Sequence, residues 1–269
     1  MTAPVFVEGI GLLGPGLTDW QQGAAVLRAE TPYLHAATAL PAPEGLPSAE
    51  RRRTGPAVKL ALAVGRQAIA ASGRNAATLA TVFSASGADG HNYHAICESL
   101  AGDDPMISPT RFHNSVHNAP AGYWSIATGA MAPSNAMCAH DGSFAAGLLD
   151  AYSQVLATGS PCVLIAYDTD YPEPLRSARP IPDAFGLALV LTAEPGAVTL
   201  ASLRPSLVLE GDAPTPTPMA DAALEALRAA IPAARALPLL QALARGDDTT
   251  AVLDYLDPLR LRVEVAPWR

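Results

Sequence analysis

The sequence predicts an α/β fold in which helices cover both faces of a mixed β-sheet. Strand-like and helix-like segments alternate over roughly the first 200 residues, which is typical of such layered folds. Residues Pro161–Tyr167 and Phe185–Thr192 are almost continuously apolar and of strand length, as expected for strands buried on both faces. Residues Ala57–Ser72 place apolar side chains at helical spacing, so helices are expected between the strands.

Apolar runs and turn residues assign the elements of the first half of the chain. The first apolar run, Val5–Glu8, is followed by Gly9, Gly11 and Gly14, which are expected to end a strand. Thr18 and Asp19 are suitable N-cap residues for the helix that follows. The predicted elements are a strand at Val5–Glu8, a helix from Trp20 to about Ala29, a loop at Leu40–Pro47, a helix at Ala57–Ser72, a strand at Thr81–Ser86 and a helical segment at His94–Leu100.

The second half is predicted to complete the sheet and then to shorten into a small appendage. We assign residues 1–210 to one domain and residues 211–269 to a linker plus a reduced remnant, which is too short for a comparable core of its own. The predicted elements are a helix at Asp141–Thr158, strands at Pro161–Tyr167 and Phe185–Thr192, one or two strands in Val198–Leu209, a proline-rich linker after Asp212, helices at Ala220–Ala230 and Leu237–Arg245, and a strand at Leu259–Val265.

Composition excludes several classes of function. The net charge of −8 disfavours nucleic acid or an anionic membrane as partner, because both require a basic surface. The first ten residues lack the features of a signal peptide, and no apolar run is long enough to span a bilayer, so a cytoplasmic protein is expected. Three widely spaced cysteines indicate neither a disulfide framework nor a metal pair.

Two short motifs give weak signals for cofactors, and we expect neither a cofactor nor a metal. Residues 9–14 read GIGLLG and match a dinucleotide fingerprint, but no helix begins within that loop. His113 and His117 are four residues apart, and a metal would need a third ligand such as His140. Hydrogen-bonded histidines at a pocket or interface are the preferred interpretation.

Cys138 is the one candidate nucleophile that local features suggest. It precedes a predicted helix, whose N-terminal amides and dipole would favour a thiolate. The alternative is a small buried residue without chemistry, which is the usual environment of an unpaired cysteine.

Three blocks of sequence together resemble the N-terminal half of the β-ketoacyl synthases, which have a thiolase-like layered fold. The blocks are the opening VFVEGIGLLGPGLTDWQQG, the segment FSASGADG at 83–90, and residues 107–134 with the pattern ISP..F...V.N..AG..SI..G..APS. The resemblance covers about residues 4–200. It implies a thiolase-like fold whose C-terminal half is truncated here.

In that family a cysteine at a nucleophile elbow accepts the acyl chain. The corresponding text here is NAMCAHDG at 135–142, and the helix glycines place Ala139 in the nucleophile position, between Cys138 and His140. The loop is also about two residues shorter than the family pattern, which leaves the nucleophile position open between Ala139 and Cys138. The resemblance therefore implies a degenerate elbow at Cys138, Ala139 and His140, and no catalytic residue.

A second departure from the family pattern concerns the groups that stabilise the enolate formed during decarboxylative condensation. Decarboxylating members take two histidines and a lysine from their C-terminal half, whereas here the last histidine is His140 and the only lysine is Lys59. The resemblance implies a chain-length factor: an inactive homologue that forms a heterodimer with a full-length ketosynthase, which in turn receives an acyl carrier protein. Within the family, this chain most resembles the ketosynthase-like partner subunits of aryl-polyene and related type II polyketide pathways.

The same resemblance assigns one segment to the acyl tunnel and the partner interface. Its residues are Phe112, His113, Asn114, Ser115, Val116, His117 and Asn118. Two alternatives remain open: a degenerate acyl-transfer or condensing enzyme that uses Cys138 with a nearby histidine as base, and a stand-alone scaffold that binds acyl carrier protein.

Overall fold

The computed structural model describes residues 3–103, 105–209 and 215–268. The strands are β1 (Val5–Leu13), β2 (Ala80–Ser84), β3 (Ser134–Met137), β4 (Cys162–Asp168), β5 (Phe185–Thr192), β6 (Ala201–Leu209), β7 (Thr249–Asp254) and β8 (Leu259–Pro267). The helices are α1 (Trp20–Leu27), α2 (Ser48–Arg51), α3 (Pro56–Ser72), α4 (Gly90–Ala101), α5 (Pro109–His113), α6 (Ala119–Thr128), α7 (Ser143–Thr158), α8 (Leu175–Ala178), α9 (Ala222–Ala230) and α10 (Leu237–Arg245), with short 3₁₀ helices at Ala76–Thr78 and Pro232–Ala236.

The eight strands form one mixed sheet in the order β3-β2-β4-β5-β1-β6-β8-β7. β2 is parallel to β3 and β4, and the remaining neighbours are antiparallel. One hydrophobic cluster packs α3 and α6 on one face, and a second packs α1, α7 and α10 on the other. The predicted mixed sheet with helices on both faces is confirmed.

Strand β1 continues through Gly9 and Gly11, so the prediction that these glycines end it is wrong. A Cβ on Gly9 would lie 2.2 Å from the carbonyl oxygen of Ala68, and one on Gly11 would lie 2.0 Å from that of Val64. Both carbonyls belong to α3. The glycines are needed because the backbone of α3 lies directly on β1.

The C-terminal segment joins the main sheet. β8 pairs with β6 over nine residues, from Ala201 opposite Pro267 to Leu209 opposite Leu259. Leu240 and Val263 are fully buried in the cluster that also holds Leu12. The first two residues after Asp212 in the predicted linker lie outside the described residues, and Thr217 donates its N–H to the Val252 carbonyl oxygen at 2.9 Å. No helix of the described ranges combines the length and apolar character needed to cross a bilayer.

Candidate functional site

The predicted elbow is a tight turn between β3 and α7. His140 has φ 49°, the left-handed conformation that non-glycine residues adopt rarely. The Ser143 hydroxyl accepts a hydrogen bond from the Ala139 N–H at 2.9 Å and lies 2.6 Å from the His140 carbonyl oxygen, to which it can donate. The turn is therefore fixed by the first residue of α7.

Cys138 is exposed, which differs from the buried alternative considered from the sequence. Its thiol donates to the Ser86 carbonyl oxygen at 3.3 Å. Ala139, at the position that the family resemblance assigns to the nucleophile, offers only a methyl group. The His140 side chain is 71% exposed, with Nδ1 3.6 Å from Asp141 Oδ1. The structure brings these three residues together at the turn, and their roles remain predictions.

Asp141 connects the elbow to the rest of the chain, and the sequence did not indicate this role. Its carboxylate accepts hydrogen bonds from Arg179 at 2.5 Å and from Arg235 at 2.9 Å. Partial burial would raise the pKa of Asp141, but the hydrogen bond from Arg179 and the charges of both arginines outweigh burial and lower it. Asp141 was predicted to begin the helix; α7 begins at Ser143, and the Asp141 side chain forms ion pairs instead.

A buried carboxylate is connected to Cys138 through Ser86. Asp168, at the end of β4, accepts from the N–H and hydroxyl of Ser86 at 2.9 and 2.6 Å and from the Ala233 N–H at 2.8 Å. Burial raises the pKa of Asp168 to about 6, although these hydrogen bonds act in the opposite direction. The Asp168 carboxylate thus links the loop after β2 to the C-terminal segment.

The predicted tunnel and interface segment, residues 112–118, is anchored on one side and exposed on the other. Asn114 is buried: its amide donates to the Arg53 carbonyl oxygen at 2.7 Å and accepts from the Tyr123 hydroxyl at 3.0 Å. His113 packs edge-on against the Tyr123 ring. The Ser115 hydroxyl bonds within the segment to the carbonyl oxygen of Phe112.

The histidines of this segment have separate partners. His117 Nε2 is 3.3 Å from the Ala85 carbonyl oxygen, whereas His113 contacts Tyr123. Across residues 3–103, 105–209 and 215–268, no three His, Cys, Asp or Glu side chains are grouped so that they could hold a metal ion. Hydrogen bonding and ring packing account for both imidazoles.

Large apolar side chains are exposed on the outward side of this segment, on α6 and just after it. Phe112, Val116, Ile126 and Met131 are exposed by 66, 49, 50 and 91%. Helix α6, which carries Ile126, contacts the edge strand β3, and β3 pairs with β2 alone among the described strands. β3 was missed from the sequence because its four residues, SNAM, carry no apolar alternation. We call Phe112, Val116, Ile126, Met131 and β3 the edge surface.

A basic pocket also escaped the sequence reasoning, although the run Arg51–Arg53 was visible. Its volume is about 390 Å³, and its wall includes Arg52, Arg53, Arg111 and His91. Asp89, also in the wall, is the N-cap of α4 and accepts from the Asn92 N–H at 3.0 Å. In the part of the chain that the structure describes, no carboxylate forms an ion pair with Arg52 or Arg111.

Comparison with known proteins identifies the family and agrees with the fold. The sequence-family model of the β-ketoacyl synthase N-terminal domain matches residues 20–250 of this chain. The chain therefore belongs to the β-ketoacyl synthase family, and its sheet is that of the thiolase-like ketosynthases. No curated protein matches the chain.

Solved structures give the same result at low sequence identity. A chain of the Xenorhabdus doucetiae ketosynthase ApeO in complex with its chain length factor ApeC is 20% identical, with a TM-score of 0.74, covering 98% of this chain and 100% of that one. The ishigamide ketosynthase/chain length factor gives 15% identity, a TM-score of 0.70, and coverage of 99 and 100%. A β-ketoacyl synthase from Burkholderia phymatum STM815 is 11% identical, with a TM-score of 0.69, and the match covers 100% of both chains. These similarities show the fold alone.

Proposed function

We propose that this protein is a non-catalytic ketosynthase homologue that pairs with an active β-ketoacyl synthase as its chain-length factor. The observation that carries the proposal is chemical: after His140 the sequence contains neither histidine nor lysine. Decarboxylative condensation develops charge on an enolate oxygen, which needs such donors. The family supplies these donors as histidines and a lysine of the C-terminal half, and neither residue type occurs there in this sequence.

The environment of the elbow supports the same conclusion. Ala139 cannot act as a nucleophile, and Cys138, the neighbouring thiol, hydrogen-bonds to the Ser86 carbonyl oxygen. Asp141 and its two arginines occupy the turn into α7. A catalytic thiolate must be aimed at its oxyanion donors, and this turn instead holds residues in structural contacts.

The edge surface supports pairing with a second subunit. An exposed edge strand presents unpaired N–H and C=O groups that another strand can complete. Exposed apolar side chains beside it would be covered at the same time. We infer that β3 and the edge surface contact the ketosynthase, which gives a heterodimer.

Co-purification tests the pairing. The chain is co-expressed with a tagged full-length ketosynthase from the same organism, and we expect a stoichiometric complex. Val116→Asp combined with Ile126→Asp places two charges on the edge surface and should abolish the complex. Leu34→Asp combined with Val198→Asp is the matched control, because both residues are exposed elsewhere. A chain that purifies alone would favour the stand-alone scaffold instead.

The basic pocket supports the proposal that an acyl carrier protein is a further partner of the pair. Arg52 and Arg111 provide cationic groups in an otherwise acidic chain, and such groups attract an acidic protein and its phosphate. Replacing both with Gln should lower elongation by the heterodimer several-fold, whereas Arg204→Gln should not. Equal loss in both variants would remove the carrier-protein assignment.

Chain-length control is assigned to the segment 112–118. A close-packed tunnel wall yields little to one further methylene, so larger side chains should stop elongation earlier. Ser115→Phe and His117→Trp should each shift the products of the pair to shorter chains, as read by mass spectrometry. An unchanged product spectrum would assign this segment to packing alone.

The exposed thiol of Cys138 leaves one enzymatic alternative, acyl transfer by this chain itself. Incubation with acyl carrier protein substrates and intact-mass measurement should detect no acyl adduct. An adduct that disappears in Cys138→Ala would replace the non-catalytic proposal by an acyl-transfer function.

A further inference from the structure

Helix α4 exposes a row of side chains that the rest of the chain does not cover. Tyr93, Cys97 and Leu100 are spaced i, i+4 and i+7, so they lie on one side of the helix. Tyr93 is 42% and Leu100 53% exposed, and Cys97 is exposed as well. Of the described residues of α4, Gly90 alone is buried. An apolar row at helical spacing normally packs against another element, and here it is open. We call Tyr93, Cys97 and Leu100 the α4 row.

The first turn of α4 attaches it to the rest of the protein. The Tyr171 ring packs so closely on Gly90 that a Cβ would not fit there. The Asn92 amide donates to the Arg111 carbonyl oxygen at 2.8 Å. A helix of about twelve residues is marginal by itself in water, because most helical stability comes from tertiary packing. The later turns of α4 would therefore be stabilised by a surface that covers the α4 row.

The α4 row lies on the helix next to the segment that we assign to the ketosynthase contact. The hydrogen bond from Asn92 reaches Arg111, which directly precedes Phe112 of the edge surface. α4 also contacts α5, the helix that carries Phe112. Met106, in the connection between the two helices, is 74% exposed. Exposed apolar side chains therefore continue from the edge surface onto its neighbouring helix.

The edge surface alone is too small for a stable complex. It comprises four exposed side chains and the four residues of β3. A specific protein–protein interface takes about 20–30 residues from each partner. The proposed pairing therefore needs further contacts. The α4 row can provide them without bringing a charge into the interface, whose core is usually depleted of charged residues.

We propose that the α4 row is a second docking surface for the ketosynthase, which covers Tyr93, Cys97 and Leu100 when the heterodimer forms. This inference rests on the proposed pairing and extends it beyond the edge surface. The matching surface of the ketosynthase is apolar, because the gain comes from removing these side chains from water.

Alkylation of Cys97 tests whether the row is covered. In a Cys138→Ala variant Cys97 is the remaining exposed thiol, since Cys162 is buried and burial raises its pKa to about 12. N-ethylmaleimide should modify Cys97 of the free chain. In the purified heterodimer the modification should be at least tenfold slower, as read from the intact mass of this chain.

Leu100→Asp tests the same surface independently. It places a charge in the α4 row and should raise the dissociation constant of the heterodimer at least tenfold, as measured by mass photometry on dilution. Leu200→Asp is the matched control and should leave the constant unchanged. Leu200 is 46% exposed, and its N–H donates to the Val7 carbonyl oxygen of β1.

The outcomes separate this inference from the pairing on which it rests. A heterodimer in which Cys97 reacts as fast as in the free chain would overturn the role of α4 and leave the pairing intact. An unaltered dissociation constant for Leu100→Asp would do the same. Protection of Cys97 in the chain alone, at the mass of two copies, would assign the row to a second copy of this chain. Failure to form any heterodimer would remove both proposals.

Discussion

At the scale of single residues, the elbow is held by electrostatic contacts between distant parts of the chain. Asp141 binds Arg179, which is 38 residues away, and Arg235, which is 94 residues away. Neither contact can be predicted from local sequence, because nothing near Asp141 specifies which arginines fold back onto it. The Asp19 N-cap, by contrast, was predicted, since its partner, the Gln22 N–H, lies three residues on.

Replacing Asp141 with Asn should destabilise the protein by about 1–2 kcal/mol, because two partly buried guanidinium groups lose their counter-charge while solvent screens part of the loss. The measurement is urea unfolding at neutral pH. Glu30→Gln removes a solvent-exposed ion pair with Arg28 and should change nothing measurable. Since the pKa of Asp141 is lowered, its contribution should persist at neutral pH and disappear only as the pH falls through that lowered value. Equal effects of the two substitutions would contradict this account.

The raised pKa of Asp168 predicts a pH dependence of stability with the opposite sign. Its folded pKa of about 6 lies above the ordinary carboxyl value, so the folded state binds the proton more tightly and stability should fall as the pH rises from about 4 to 6. The associated change is at most about 2–3 kcal/mol. Asp168→Asn should abolish this part of the pH dependence, at the expense of the Ala233 hydrogen bond. Urea unfolding across that pH range checks it, and identical slopes for both proteins would refute it.

At the scale of elements, the close contact between α3 and β1 determines what the strand can contain. Gly11→Ala would direct a methyl group into the Val64 carbonyl oxygen and should cost about 2 kcal/mol or more. Gly122→Ala in α6 is the control: nothing lies within 4 Å of its added Cβ, and alanine should stabilise the helix by about 0.5–1 kcal/mol. Thermal unfolding measures both, and a neutral Gly11→Ala would mean that α3 moves aside without penalty.

The elements that could be predicted from the sequence are those whose signals are local. Helices α3 and α10 and strands β4 and β5 were predicted within about two residues, because their apolar patterns are local and strong. The end of β1 was wrong, since its glycines read as turn residues until α3 is placed on them. Strand β7, which was not predicted, is defined by its pairing with β8. The exposed β3 has no hydrophobic signal at all.

At the scale of the whole molecule, the C-terminal segment and the main sheet share one core, and we expect them to unfold together. Trp124 lies in α6, while Trp268 follows β8 and packs edge-on against Phe6 of β1. In a Trp20→Phe background, the fluorescence of Trp124→Phe and of Trp268→Phe therefore reports on different regions. Each variant should unfold in one transition that coincides with its own circular dichroism transition. An early transition in the protein that retains Trp268 would indicate a separately folding remnant.

The two edges of the sheet differ in their capacity to recruit neighbours. On the β7 side, Thr217 donates to the Val252 carbonyl oxygen and accepts from its N–H, so the middle of that strand is already satisfied. On the β3 side, the backbone has one neighbouring strand among the described residues. If a ketosynthase covers β3 as proposed, only the β7 edge would remain for strand addition, and Thr217 already occupies its middle. This arrangement would favour a closed pair over fibre formation.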